Sequence, residues 1–371
     1  MSIYTDRRSR VYEWMAGEHI DAAYLTKDAD VRYLTGMPND SVLLLFGTGR
    51  AVLLPWDIIL AEKLAEVDTV VPYTEYHRDL ATAVTAQLGE AGLASDAKVE
   101  IPAGTAYPKY QALAEKLPEV ELVCRSEGIE EMVGRLRSRK DSGEIAILRR
   151  AAEITNGLID DLERALADGS AVSELDIALF LEREARARGG EGTGFESLVA
   201  GPQRSNNIHA FPAYTAGRFA SPGLGIVDFG VRVDGYTSDV TITAVFGRPD
   251  EKQREMVELV ERAYAQATRE ARPGADAGDI ARRIDALFDA AGYAMPHSLG
   301  HGVGLEVHEA PWVRSRATDP VPLEPGMVFT IEPGLYHAEA GGVRLENDVL
   351  ITDSGAEVIT TSRILRFPDF D

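Results

Sequence analysis

One cysteine, Cys124, is the whole thiol inventory of this 371-residue chain. It excludes an intrachain disulfide and a cysteine-rich zinc knuckle, and it fits a cytoplasmic setting. Lysine is scarce as well: Lys27, Lys63, Lys98, Lys109, Lys116, Lys140 and Lys252 are the only ones, and every other basic side chain is arginine. Acids outnumber bases 60 to 38, for a net charge of -22, which leaves no basic face for nucleic acid. An acidic, lysine-poor surface suits a salt-rich cytoplasm, where repulsion is screened, and equally an ordinary GC-rich genome. Long apolar runs are missing too. The greasiest stretch, residues 42–60, is broken by Gly47-Thr48-Gly49-Arg50 and again by Pro55 and Asp57, so no membrane span is expected. The opening MSIYTDRRSR passes straight into charge, and a signal peptide is not expected. Neither Gly-x-Ser-x-Gly nor a P-loop Gly-Lys-Ser/Thr occurs, which removes the serine-hydrolase and phosphate-loop classes.

What is present can bury two cores, since 45% of the residues are hydrophobic. Residues 1–130 alternate between element types. Helices are expected at 7–17, 58–67, 80–91 and 112–117, and strands at 22–26, 42–46, 51–55, 69–73, 98–102 and 120–124. That alternation predicts an α/β domain. Residues 134–141, with their run of arginines and Lys140, read as a linker into a long helix at 144–167. Residues 131–371 form the second expected domain, and here the order of elements repeats. Each half reads as helix, helix, His-x-x-Pro (His209 to Pro212, then His308 to Pro311), and a strand ending in a carboxylate, GIVDFG or VFTIEPG. The repeat predicts two half-domains related by a pseudo-two-fold, with Asp228 and Glu332 in matching places.

The chemistry concentrates in that second domain. In IVDFGVRVDGYTSDVTITAVF, Asp234-Gly235 is the preferred two-residue turn of a tight hairpin. Val233 then pairs with Tyr236, Asp228 faces Thr241, and Gly230 faces Asp239. Asp228 and Asp239 share a face as diagonal neighbours, roughly 7 Å apart, while Val227, Phe229, Val231, Val240 and Ile242 form a core face behind them. Two carboxylates aimed together repel unless a cation lies between them. Glu332 ends an apolar strand, and in the strand expected next Arg344, Glu346 and Asp348 alternate with Val343, Leu345, Val349 and Ile351. HSLGHGVGLEVHEAP brings His297, His301 and His308 together, with Gly300, Gly302 and Gly304 expected to let the backbone approach a ligand. Four carboxylates are offset by two divalent cations. A hard-oxygen set with one imidazole suits manganese, cobalt, iron or zinc. Two such ions can hold a bridging hydroxide and polarise a carbonyl, the chemistry of amide hydrolysis.

These motifs resemble the pita-bread metallopeptidases, and among them the Xaa-Pro peptidases, aminopeptidase P and prolidase. The resemblance implies a creatinase-type N-terminal domain, from GEHIDAAYLT and DVRYLTG, and a pita-bread catalytic domain. It implies that Asp228 binds one metal, that His301 and Glu332 bind the other, and that Asp239 and Glu346 bridge. Glu332 becomes the proton shuttle, His308 the oxyanion donor, His209 and His297 the groups beside the proline, and Arg344 the partner that orients Glu346. It further implies a homodimer, a cytoplasmic enzyme, two divalent ions with Mn2+ foremost, and short proline-containing peptides as substrates. Two departures stand out. Thr241-Ile242-Thr243 replaces the usual Thr-Arg-Thr, and Trp312 stands where some dipeptidases carry a carboxylate-gripping arginine. A small-molecule amidase of the ectoine-hydrolase kind, or a non-catalytic peptide-binding scaffold, would use the same frame. His19, His77 and His337 carry no expected role.

Overall fold

The Gly47-Thr48-Gly49 break folds two apolar runs back on each other, and the first sheet grows from that hairpin. In the computed structural model, which describes residues 2–93, 95–368 and 370, contacts divide the chain into two compact units, Met1–Arg137 and Ser138–Asp371. In the first unit, strands β1 (Ala22–Leu25), β2 (Ser41–Phe46), β3 (Ala51–Pro55), β4 (Thr69–Val70), β5 (Lys98–Ile101) and β6 (Glu121–Cys124) form one sheet in the order β4-β3-β2-β1-β5-β6. Helices α1 (Ile3–Gly17), α2 (Asp28–Thr35), α3 (Ile58–Leu64), α4 (Leu80–Glu90), α5 (Tyr107–Lys116) and α6 (Ile129–Ser138) complete it. Tyr24, Leu44, Phe46, Val52, Val84 and Leu113 meet in its core.

Several features of this unit differ from expectation: β4 stops at Val70 instead of reaching residue 73, and α5 starts at Tyr107 instead of residue 112. Helix α2 is not anticipated; Gly36, at φ 83°, closes it. The stretch expected to be a linker is instead mostly the end of α6. Ile129, Val133 and Arg137 recur at helical spacing and are buried, with acids in the first turn and arginines in the last. Arg137 is buried because it meets Asp30 at 2.7 Å. Among the described residues, no helix is long and apolar enough to cross a membrane.

The second unit starts with α7 (Ser142–Ala167), launched by a reciprocal cap between Asp141 and Glu144. Helix α8 (Glu174–Ala187) follows, then β7 (Gly192–Thr193), β8 (Leu198–Ala200), β9 (Gly223–Phe229), β10 (Val231–Val233), β11 (Tyr236–Thr237) and β12 (Val240–Phe246). The second half repeats the plan with α9 (Glu251–Glu270), α10 (Ala277–Ala290), β13 (Gly300–Gly302), β14 (Glu309–Val313), β15 (Val328–Ile331), β16 (Gly334–His337), β17 (Gly341–Arg344), β18 (Asn347–Thr352) and β19 (Gly355–Val358). Strand β20 (Ile364–Phe367) crosses back to lie parallel to β12.

The two halves correspond. Strand β9 lies between β8 and β12, as β15 lies between β13 and β18. Each half has its own core behind its sheet: α7 and α8 on Val227, Phe229, Val240 and Ile242, and α9 and α10 on Phe329, Ile331, Val349 and Ile351. The sheets meet where Thr241 of β12 bridges to Glu346. One carboxylate lies at or beside the end of each central strand, Asp228 and Glu332. A second immediately precedes each return strand, Asp239 before β12 and Glu346 before β18. Four acids thereby face one seam.

Candidate metal centre

The first hairpin has the expected register. Asp234 and Gly235 both have positive φ, 44° and 77°, as a tight two-residue turn of the right twist requires. Val233 pairs with Tyr236 and Asp228 with Thr241. At Gly230 the ladder breaks, and a Cβ there would overlap the Ser238 carbonyl. The break separates β9 from β10, which belong to different sheets. The second acidic stretch is not the single strand expected. It divides at Leu345-Glu346 into β17 and β18, which belong to different sheets. Its polar side is buried against the first hairpin: Arg344, Glu346 and Asp348 are each 2% exposed or less.

All nine residues singled out from the sequence line one cavity of about 560 Å³: His209, Asp228, Asp239, His297, His301, His308, Glu332, Arg344 and Glu346. Asp239, His301 and Glu346 offer ligand atoms that all lie within 4.8 Å of one another. Glu332 Oε1 is 3.4 Å from His301 Nε2, and Asp239 Oδ2 is 3.8 Å from it. The His301 and His308 rings have centroids 4.3 Å apart. His297 Nδ1 lies 3.8 Å from Glu332 Oε2.

Gly300, Gly302 and Gly304 are each required by the packing. A Cβ at Gly300 would collide with the Thr330 carbonyl, one at Gly302 with the Ala310 carbonyl, and one at Gly304 with the Glu309 carboxylate. Gly300 and Gly302 permit close packing of strand on strand around His301, and Gly304 makes room for the Glu309 side chain.

Arg344 brings a cation against these acids. It reaches Asp228 Oδ2 at 2.5 Å and Tyr336 Oη at 2.7 Å, and it donates through Nε to Thr241 Oγ1 at 2.9 Å. Thr241 in turn donates to Glu346 Oε2 at 2.6 Å. Arg344 therefore reaches Glu346 through a hydroxyl, while its direct carboxylate partner is Asp228. Tyr336 also lies 3.2 Å from His297 Nε2. Thr241 and Tyr336 carry no role in the sequence reading. The hairpin register, which sets Thr241 opposite Asp228, is the signal that points to the first. Nothing comparable singles out Tyr336.

The donor chemistry fits hard divalent cations. Burial, then neighbouring carboxylates, raises Asp239 and Glu346 well above the usual carboxylate range. Burial pushes Glu332 up to about 8. So many buried anions are unfavourable without further positive charge. Asp228 Oδ1 is buried and has no hydrogen-bond partner among the described residues. Burial lowers His301 to about 4, so its imidazole is neutral and able to bind a metal near pH 7. Its Nδ1 faces the Gly302 carbonyl at 3.2 Å, which leaves Nε2 toward the acids.

A two-half domain with four carboxylates and a neutral imidazole around one cavity defines a class, the metal-dependent hydrolases. The chain belongs to metallopeptidase family M24, whose profile matches residues 146–353, more than half of its length. The Creatinase/Prolidase N-terminal domain matches residues 7–137. The Xaa-Pro dipeptidase of Pyrococcus horikoshii is 30% identical over 97% of this chain and 98% of its own. Among solved structures, the prolidase from Pyrococcus furiosus is 29% identical, with a TM-score of 0.82 over 95% of this chain and 99% of that one. The Xaa-Pro dipeptidase from Bacillus anthracis is 28% identical and superposes with a TM-score of 0.86 over 98% and 99%.

Proposed function

We propose that the chain is a dinuclear metallopeptidase that cleaves Xaa-Pro bonds in short peptides. One observation carries the reading: Asp228, Asp239, Glu332 and Glu346, a neutral imidazole and three further histidines line a single cavity of about 560 Å³. Asp228 would hold one divalent ion, His301 and Glu332 the other, with Asp239 and Glu346 shared. Mn2+ is the first candidate, and Co2+, Zn2+ and Fe2+ suit the same donors. Such ions supply Lewis acidity toward a peptide carbonyl and lower the pKa of water.

The protein's own groups do the rest. We assign Glu332 the proton transfer to the leaving nitrogen, and His308 the hydrogen bond to the developing oxyanion. His209 and His297 border the proline side. Leu198, Ile208 and Val307 give the cavity wall an apolar stretch suited to a pyrrolidine ring. Arg344 and Thr241 keep Asp228 and Glu346 at fixed spacing. An Xaa-Pro bond has no N–H and a restricted φ, which sets it apart from the substrates of general peptidases. Trp312 lines the same cavity and is 38% exposed, so no guanidinium at that position grips the carboxylate of a dipeptide. The creatinase-type unit supports a homodimeric assembly, measurable by sedimentation, and the single cysteine supports a cytoplasmic site of action.

The deciding experiment is turnover of Gly-Pro, of Xaa-Pro-Xaa tripeptides and of ectoine by Mn2+-loaded and metal-stripped protein. Metal-dependent cleavage of a proline peptide is expected. Turnover of ectoine alone would select the small-molecule amidase. Peptide binding without turnover would select the scaffold.

A further inference from the structure

We propose that Phe211 sets specificity beyond the scissile bond: its exposed ring receives an apolar side chain on the residue that follows proline, so Xaa-Pro-Xaa substrates carrying one are preferred. This rests on the Xaa-Pro peptidase reading above and carries it one residue further along the substrate. Phe211 is 97% exposed and lines the same cavity as the candidate metal ligands. Among the described residues, no other large apolar side chain is as bare. Apolar side chains scattered singly over a surface need no explanation. Phe211 is not scattered, because Phe195 and Trp312 line that cavity with it.

The ring is bare, yet its backbone is held on both sides. The Ile208 carbonyl accepts from Arg344 Nη1 at 3.2 Å, and the Pro212 carbonyl accepts from Arg204. The Ala213 carbonyl takes the Val199 N–H at 2.9 Å. Ala210 is 5% exposed and packs with Leu198, Ala200 and Ile226. His209 and Phe211 flank that buried residue, and both line the cavity. A peptide whose proline lies beside His209 therefore meets Phe211 next on its way out. A segment fixed before the ligand arrives costs less to order on binding.

Charge points the same way. Among the described residues no lysine lines the cavity, and the arginine that does, Arg344, is 2% exposed and paired with Asp228. A free carboxylate directly on the proline, as in a dipeptide, thus finds no unpaired lysine or arginine in this wall. A third residue replaces that charge with a neutral amide and sets its side chain against Phe211. Two apolar surfaces then leave water together, which favours binding in proportion to the area covered.

The experiment compares kcat/KM of Mn2+-loaded wild type, Phe211→Ala and Phe211→Leu on Ala-Pro, Ala-Pro-Gly and Ala-Pro-Phe. Wild type is expected to favour Ala-Pro-Phe over Ala-Pro-Gly by about tenfold, the gain from covering one phenyl ring. Phe211→Ala should lose about tenfold more on Ala-Pro-Phe than on Ala-Pro-Gly, chiefly through KM. Phe211→Leu should recover part of that preference. The exposed ring makes no core contact, so both variants are expected to fold. Equal losses on the two tripeptides would mark Phe211 as merely structural and overturn the proposal. A wild type that prefers Ala-Pro, or is indifferent to the third residue, also overturns it. If the loaded wild type cleaves none of the three, the Xaa-Pro reading itself falls, and this inference with it.

Discussion

Thr241 ties the two halves of the second unit together with one hydroxyl. That hydroxyl donates to Glu346 and accepts from Arg344, while its main-chain carbonyl takes the Glu346 N–H at 3.2 Å. Thr241→Val keeps the shape and deletes the hydroxyl. Glu346 Oε2 and Arg344 Nε then each lose a buried partner, a loss of about 1–3 kcal/mol. Affinity for divalent metal should also fall roughly tenfold, because the carboxylate loses the contact that orients it. Thermal unfolding and metal titration check the two parts separately, and unchanged affinity would remove Thr241 from the site. The position of Thr241 is legible from the hairpin, because a turn at Asp234-Gly235 sets every cross-strand pair. Its partner is not, since Glu346 lies 105 residues further on. Such contacts depend on how two sheets dock, and no local period encodes that.

Local period does encode the elements themselves, and it fails where an element is short or interrupted. Helices α7, α9 and α10 each present a repeated apolar face and a side-chain cap, so their positions follow from sequence. The acidic stretch after β16 looks like one alternating strand, yet it divides between two sheets. Alternation sets which side chains share a face but not which neighbour each segment pairs with. The end of α6 looks like a linker because Gly134 and the arginines dominate its composition.

Two glycines separate these cases experimentally. Nothing lies within 4 Å of a Cβ built on Gly134, inside a helix. Gly134→Ala should therefore stabilise the protein by about 0.5–1 kcal/mol, through helix propensity and a less flexible unfolded chain. At Gly230 the added methyl meets the Ser238 carbonyl. Gly230→Ala should destabilise by about 1–3 kcal/mol, and it should weaken metal binding by spreading Asp228 and Asp239. Denaturant unfolding of both variants provides the comparison. Equal effects would mean that the hairpin tolerates spreading and that its close approach is incidental.

At the scale of the whole molecule, the acidity concentrated in the site opposes the fold that assembles it. The chain already carries a net charge of -22, and it buries Asp239, Glu332, Glu346 and Asp348 with their carboxyls raised. A raised carboxyl binds protons in the folded state that the unfolded chain releases. For Glu332, raised from 4.5 to about 8, the contribution is fully present below pH 4.5 and is lost as pH climbs toward 8. The metal-free fold should therefore lose stability from this group across pH 6 to 8. Divalent metal reverses the sense, because ligands must be deprotonated to bind and each displaced proton raises apparent affinity by up to about tenfold per pH unit. Chelation should lower the melting temperature at both pH values, and the gap between loaded and stripped protein should be wider at pH 8 than at pH 6. Calorimetric scans with Mn2+ and with EDTA at the two pH values measure that gap. A gap that does not change with pH would mean that the buried carboxyls release no protons to the metal, and so are not its ligands.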